Sequence, residues 1–146
     1  MKSEVYNFLT KHRRTKARIV CIDALISDLR LMMQPSAIRY DLDKVQSSPK
    51  DPMAEYAVRL MELEVEKAEL QRRYLKERDE VEAAINTMND IYIQQVMTMR
   101  YLNGRAWDDI IEQMPFVDRT IFRFHKTGLQ GISKYLDTQK HVSECQ

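Results

Sequence analysis

The stretch Tyr101-Leu102-Asn103-Gly104-Arg105-Ala106-Trp107-Asp108-Asp109-Ile110 decides the fold of this chain. Asn103 and Gly104 belong to the residue types that most readily leave a helix through a left-handed conformation. Apolar residues then recur at helical spacing, which predicts a short helix with one buried face: Trp107, Ile110, Ile111 and Met114. Pro115 ends that helix, because proline cannot continue it. The stretch therefore predicts a helix, a tight turn, a second helix anchored in the core by Trp107, and a further turn.

A third helix follows this second turn. Its first residue with a capping side chain is Asp118, whose carboxylate can accept backbone N–H bonds. The apolar spacing predicts a buried stripe of Ile121, Phe124 and Leu129. Five residues are predicted to face outward, and three of them are basic. They are Arg119, Thr120, Phe122, Arg123 and Lys126. A short helix followed by a helix with a basic outer face is how helix-turn-helix modules present side chains to the major groove.

The same segment resembles region four of bacterial sigma factors and, more closely, the phage-encoded transcriptional regulators of the RinA and ArpU type. The likeness rests on Arg100-Tyr101, on Gly104, on Trp107 to Ile110 and on Arg119 to Lys126. It implies a sequence-specific DNA-binding regulator of transcription, a phage or prophage late-gene activator in the cytoplasm of a bacterial host. It also implies no enzymatic role and no cofactor, and it makes double-stranded DNA and RNA polymerase the expected partners.

Three positions depart from the pattern of these families. Ala106 and Val117 stand where Ser or Thr usually caps the following helix, and Pro115 replaces the usual Gly or Asn of the turn. A lost cap costs about 1 kcal/mol. We therefore expect both helices to begin one residue later than in relatives, with Asp118 as the substitute cap of the third helix.

Eight residues form the DNA-binding site that the outward face and the resemblance imply. Those expected to read base edges or set the register are Arg119, Thr120, Phe122 and Arg123. Those expected near the phosphate backbone are Arg105, Asp118, His125 and Lys126. Phe122 is the most telling of the eight, because a large aromatic side chain is unexpected on an outward face. Its two interpretations are contact with a thymine methyl group or a sugar, and packing against the long preceding helix.

Composition predicts an all-helical protein. The chain has 146 residues, three glycines, four prolines and no strand-like alternation. Charged residues make up 31% and apolar residues 44%, which is typical of helical, coiled-coil-rich proteins. The net charge is only +1, but it is segregated. Residues 53–90 hold ten acidic and six basic residues, whereas residues 119–140 hold five basic residues and one acidic residue.

Residues 1–90 are predicted to form a helical hairpin or coiled coil, interrupted by a loop at about residues 34–52. Residues 91–137 form the helix-turn-helix module, and residues 138–146 a polar tail. The first helix has a heptad-like seam at Val5, Phe8, His12, Thr15, Ile19, Ile22, Ile26, Leu29 and Met33. The second seam comprises Met53, Tyr56, Leu60, Leu63, Lys67, Leu70, Tyr74, Glu77, Val81, Ala84, Met88 and Ile91. The two seams can cover each other in an antiparallel hairpin, or a second copy of the chain can cover them in a homo-oligomer.

Two local features accompany the seams. Pro52 suits the first turn of the second helix, with Asp51 as its cap. The basic run Lys11 to Arg18 has three interpretations: a solvated helix face, a second phosphate-binding patch, or a partner of the acidic stretch Glu62 to Glu66. The third interpretation favours the antiparallel hairpin.

The sequence offers little for catalysis, metals or membranes. The three histidines are scattered, and Asp108 and Asp109 are better explained as first-turn acids that interact with the helix dipole. Cys21 and Cys145 suggest no disulfide framework, and no signal peptide or membrane-spanning run is expected. Two other functions remain open. One is a phage terminase small subunit, although its DNA-binding module usually comes first. The other is an adaptor that binds RNA polymerase or another regulator through the coiled coil.

Overall fold

The computed structural model describes residues 2–34 and 51–146, which form five α-helices and one π-helical turn, without strands. The elements are α1 (Lys2–Met32), α2 (Pro52–Asn86), α3 (Ile91–Met97), the π-turn (Thr98–Leu102), α4 (Trp107–Gln113) and α5 (Asp118–Glu144). The predicted all-helical class is confirmed for these residues. Most of the loop predicted at about 34–52 falls on residues outside this description.

Helix α2 begins where the sequence predicts. Asp51 accepts a hydrogen bond from the backbone N–H of Met53 at 3.0 Å, as a capping residue should. Pro52 is the first helical residue, a position where the missing N–H of proline removes no helical hydrogen bond. The cap and the proline therefore fix the start of a helix that runs on for 35 residues.

The described chain packs as two compact units: Arg13–Tyr74 forms one, and Met1–His12 together with Leu75–Gln146 forms the other. In the first unit, Ile22 and Ile26 of α1 are buried against Leu63 of α2. The half-buried side chains around them are Leu29, Leu60 and Leu70. Residues of the first and second predicted seams therefore contact each other within one chain at this cluster.

Ion pairs flank this apolar contact. Arg18 pairs with Glu66 at 3.2 Å and Arg30 with Glu64 at 3.0 Å. The basic run and the acidic stretch therefore do meet, at Arg18 and Glu66. Because these side chains are substantially exposed, each pair contributes at most about 1 kcal/mol, so apolar burial contributes most of the stability of the contact.

The second unit has two buried clusters. One joins the start of α1, the end of α2 and the C-terminal elements: Val5, Leu9, Val81, Ala84, Ile85, Met97, Tyr101 and Ile132. The other lies among the three C-terminal helices and the π-turn: Val96, Met99, Ile110, Met114 and Ile121. Residues before and after position 90 therefore pack together in the first of these two clusters.

The structure corrects one sequence prediction in this unit and gives the secondary structure of another predicted segment. Ile91, placed at the end of the second seam, is 66% exposed, because α2 has already ended and Ile91 opens α3. The segment after Asp137, expected to be a polar tail, is helical as far as Glu144. It contains neither proline nor glycine to end the helix, and Lys140 pairs with Glu4 of α1 at 2.6 Å.

Leu63 and Val65 give a matched test of the seam. Leu63 is 1% exposed and Val65, on the same helix, is 68% exposed. Leu63→Ala should lower the free energy of unfolding by about 2–5 kcal/mol, because it leaves a cavity in the contact between α1 and α2. Val65→Ala should change it by less than about 0.5 kcal/mol. Urea unfolding followed by circular dichroism measures both, and equal effects would contradict the assignment of the seam.

Gly128 and Gly131 provide a second matched pair, on α5. A Cβ atom at Gly128 would lie 2.6 Å from Sδ and 2.7 Å from Cγ of the buried Met97. Gly128→Ala should therefore destabilise the fold by about 1–3 kcal/mol through overpacking. At Gly131 the nearest atom is the flexible Cε of Met88 at 3.3 Å. Gly131→Ala should be neutral or stabilising by up to about 1 kcal/mol, through helix propensity. Thermal unfolding separates the two, and equal melting temperatures would contradict the close packing.

Candidate nucleic-acid interface

The turn after α3 is wider than a normal α-helical turn. The N–H of Asn103 bonds the carbonyl of Thr98 at 3.0 Å, and the N–H of Arg105 bonds the carbonyl of Met99 at 3.0 Å. Gly104 has φ +66°, the left-handed conformation predicted for this turn, whereas Asn103 stays right-handed with φ −88°. The π-turn itself was not predicted, since wide-turn backbone geometry leaves no clear signature in the apolar spacing.

The two following helices start without side-chain caps. Ala106 and Val117 are extended, and the carbonyl of Val117 accepts the N–H groups of Thr120 and Ile121 at 3.0 and 3.2 Å. Asp118 is already the first helical residue, and its carboxylate accepts the N–H of Arg119 at 2.8 Å. The expected one-residue delay and the role of Asp118 as the cap are therefore wrong. The extended backbone of an apolar residue is sufficient to begin each helix.

The packing of α5 determines which of its side chains reach solvent. Ile121 and Gly128 are buried, and Phe124 is half-buried beside Tyr92 and Phe116. The exposed side chains on the opposite side are Asp118, Arg119, Phe122, Arg123 and Lys126. The predicted outward face is therefore present, except that Thr120 is half-buried.

The cations of this face are not neutralised by neighbours. Among the residues that the structure describes, no acidic side chain forms an ion pair with Arg119, Arg123 or Lys126. The guanidinium of Arg123 lies 6.0 Å from the ring centre of Phe124. These three residues span two turns of helix and give one face of α5 a local positive charge.

Phe122 is supported from α4. Its ring centre lies 5.0 Å from that of Trp107, and 43% of the residue remains exposed. The Arg100 guanidinium lies 4.8 Å from the Trp107 ring centre. The sequence predicts a core role for Trp107 and offers packing against the long helix as one interpretation of Phe122. The contact between the Trp107 and Phe122 rings is not covered by either prediction. Trp107 is half-buried at the edge of a buried cluster and also supports the exposed face.

His125 joins α5 to the π-turn. Its Nε2 lies 2.7 Å from the hydroxyl of Tyr101, its ring stacks on the Tyr101 ring, and Trp107 meets it edge-on at 4.7 Å. Burial lowers the pKa of His125 from its ordinary value of 6.5, and the charge of Arg100 lowers this pKa further. The neutral imidazole is therefore the form that fits this contact.

Arg105 lies apart from the α5 face within the same unit. It is half-buried and lines a groove of about 480 Å³ together with amide side chains, among them Gln94, Gln95, Asn103 and Gln113. The structure thus gathers Arg119, Phe122, Arg123 and Lys126 on one face and gives Arg105 a different environment. Sequence reasoning missed the contacts of Arg100 with Trp107 and of Tyr101 with His125, because these contacts depend on the π-turn.

Other kinds of site have little support. Within residues 2–34 and 51–146, no group of three or more His, Cys, Asp or Glu side chains could hold a metal ion. The helices of the same residues include none with the length and apolar character needed to span a membrane. Comparisons with protein-family models, with curated proteins and with solved structures give no match. The α5 face is therefore interpreted from its own chemistry.

The lowered pKa of His125 predicts a pH dependence of stability. Folding favours the neutral form of His125, which adds to the free energy of unfolding. This contribution is complete above the unfolded-state pKa of about 6.5 and is lost as the pH falls from there towards the lower folded-state pKa. His125→Gln should flatten the decline of unfolding free energy between about pH 7 and pH 5. His141→Gln, at an exposed histidine on the same helix, should retain the decline of the unaltered chain. Urea titrations at several pH values measure the slopes, and a slope unchanged by His125→Gln would contradict the prediction.

Proposed function

We propose that this chain is a non-enzymatic, sequence-specific DNA-binding regulator of transcription. The observation that carries the proposal is the exposed face of α5, where Arg119, Arg123 and Lys126 surround a supported aromatic ring, Phe122. Arginine can donate two hydrogen bonds to guanine, and lysine attracts phosphate. An apolar ring between such cations adds a group that can contact base edges.

The dimensions of this face suit the major groove. An α-helix with its side chains is about 10–12 Å across, which matches the major groove width of about 12 Å. We assign α5 as the recognition helix and α4 as the preceding helix of a helix-turn-helix module. Each phosphate that a cation of this face neutralises adds about −0.9 to the slope of log affinity against log salt concentration, whereas a cation that contacts a base adds specificity instead.

The finer architecture is part of the same proposal. We propose that α1 and α2 form an antiparallel hairpin, which agrees with the pairing of Arg18 with Glu66 and of Arg30 with Glu64. Two copies of the chain would bring two recognition helices to two half-sites, since one small module specifies few base pairs. The role as a phage or prophage late-gene activator in a bacterial cytoplasm, with RNA polymerase as a partner, comes from the sigma-like pattern of residues 100–126.

Substitutions on α5 test the proposal. The probes are a duplex enriched by the unaltered chain from a randomised library and a random duplex of equal length. Arg123→Ala should weaken binding to the enriched duplex by about 1–3 kcal/mol if Arg123 contacts a base. Lys126→Gln should weaken binding to both duplexes alike and reduce the salt slope by about one unit, as expected for a phosphate contact.

The matched control is Lys134→Gln, which removes one positive charge from the same helix but outside the 119–126 face. It should leave both affinities nearly unchanged, and circular dichroism should be alike for all variants. Failure to enrich any duplex, or equal losses from Lys126→Gln and Lys134→Gln, would refute the assignment of this face. Fluorescence anisotropy over a salt series provides the measurements.

A further inference from the structure

Phe122 has an exposure that core packing does not account for. The buried clusters of its unit and the half-buried residues around them do not include Phe122, although its neighbours Ile121 and Phe124 both belong there. Yet its ring is not loose on the surface, because Trp107 lies against it at 5.0 Å between ring centres. The structure therefore holds an apolar ring in place while leaving 43% of the residue open to solvent.

The support beneath Phe122 is itself fixed. Arg100 lies over Trp107 and donates a hydrogen bond from Nη1 to the carbonyl of Arg105 at 3.0 Å. On another side, His125 meets the indole edge-on, and its Nε2 is held by the Tyr101 hydroxyl. The indole is thus constrained by both the π-turn and α5, so that the position of the Phe122 ring depends on side chains that do not themselves reach the exposed face.

A supported apolar ring on a face proposed to read bases has few chemical partners. A phenyl ring neither donates nor accepts a conventional hydrogen bond, so the polar edges of guanine, adenine and cytosine offer it little. Thymine alone presents a methyl group in the major groove. That methyl group is the base feature whose chemistry matches Phe122.

We propose that Trp107 and Arg100 are positioning residues that hold Phe122 against the 5-methyl group of a thymine in the recognised DNA. This inference rests on the proposed function, which it deepens by naming one base feature that the protein reads. It gives Trp107 a role in specificity in addition to its contribution to the core.

The test removes the methyl group and nothing else. In the duplex enriched from a randomised library, each thymine of the enriched sequence is replaced in turn by deoxyuridine. The affinity of the protein is then measured for each probe. The unaltered chain should lose affinity by about four-fold at one or two positions, the value of one buried methyl group. Phe122→Ala should bind thymine and uracil probes equally at those positions.

The positioning role is tested by variants that keep Phe122. Trp107→Ala should lose the discrimination between thymine and uracil, and Trp107→Phe should restore most of it, because a smaller ring still supports Phe122. Arg100→Lys keeps the charge but not the planar group that stacks on the indole, and it should reduce the discrimination. Circular dichroism and binding to a random duplex show whether each variant is folded and still binds DNA.

The outcomes separate the two proposals. If no duplex is enriched, sequence-specific binding fails and the thymine contact fails with it. If a duplex is enriched but uracil replacement has no effect at any position, or Phe122→Ala retains the discrimination, only the thymine contact is overturned. If Phe122→Ala loses the discrimination while a folded Trp107→Ala and Arg100→Lys both retain it, the positioning role is overturned. The positioning role is supported if Trp107→Ala loses the discrimination between thymine and uracil and Trp107→Phe restores it.

Discussion

The close approach of α5 to α3 at Gly128 constrains every later feature of the α5 face. A Cβ atom at this position would meet Met97 at 2.6 Å, so the two helices can lie together only because position 128 has no side chain. A helix repeats every 3.6 residues, and burial of Gly128 together with Ile121 fixes the rotation of α5 about its axis. Once that rotation is fixed, Arg119 and Arg123 must point away from the core. Packing of an uncharged residue thus determines where the charges lie.

Tyr101 is the second junction of this unit. Its carbonyl oxygen accepts a hydrogen bond from Nε2 of the buried His12, 89 residues earlier in the chain, and its hydroxyl lies 2.7 Å from His125. The wider π-turn presents Arg100 and Tyr101 together, one towards Trp107 and the other between the two histidines. His12 of α1 and His125 of α5 are therefore connected through the π-turn as well as through apolar packing.

Features that depend on interactions between residues close in sequence could be predicted, whereas features that depend on contacts between remote residues could not. Local rules were sufficient for the start of α2 at Pro52, for the left-handed Gly104 and for the outward side of α5, because capping, glycine conformation and helical period each act within a few residues. His12 is a polar residue within the first predicted seam. Its buried Nε2 bonds a carbonyl oxygen 89 residues away in sequence, and periodicity contains no information about such a partner. The role of Trp107 was underestimated for the same reason.

Charge explains why a chain with a net charge of only +1 can still present a cationic face. In the unit formed by residues 13–74, bases and acids neutralise each other in pairs such as Arg18 with Glu66 and Arg30 with Glu64. Among the described residues no acidic side chain forms an ion pair with Arg119 or Arg123, and the cations of the α5 face outnumber its neighbouring acid, Asp118. Total charge therefore says little about the local charge of this face, on which the proposed DNA binding depends. The relevant quantity is the charge left unpaired on one helix face, because only unpaired cations can displace the counterions condensed on a duplex.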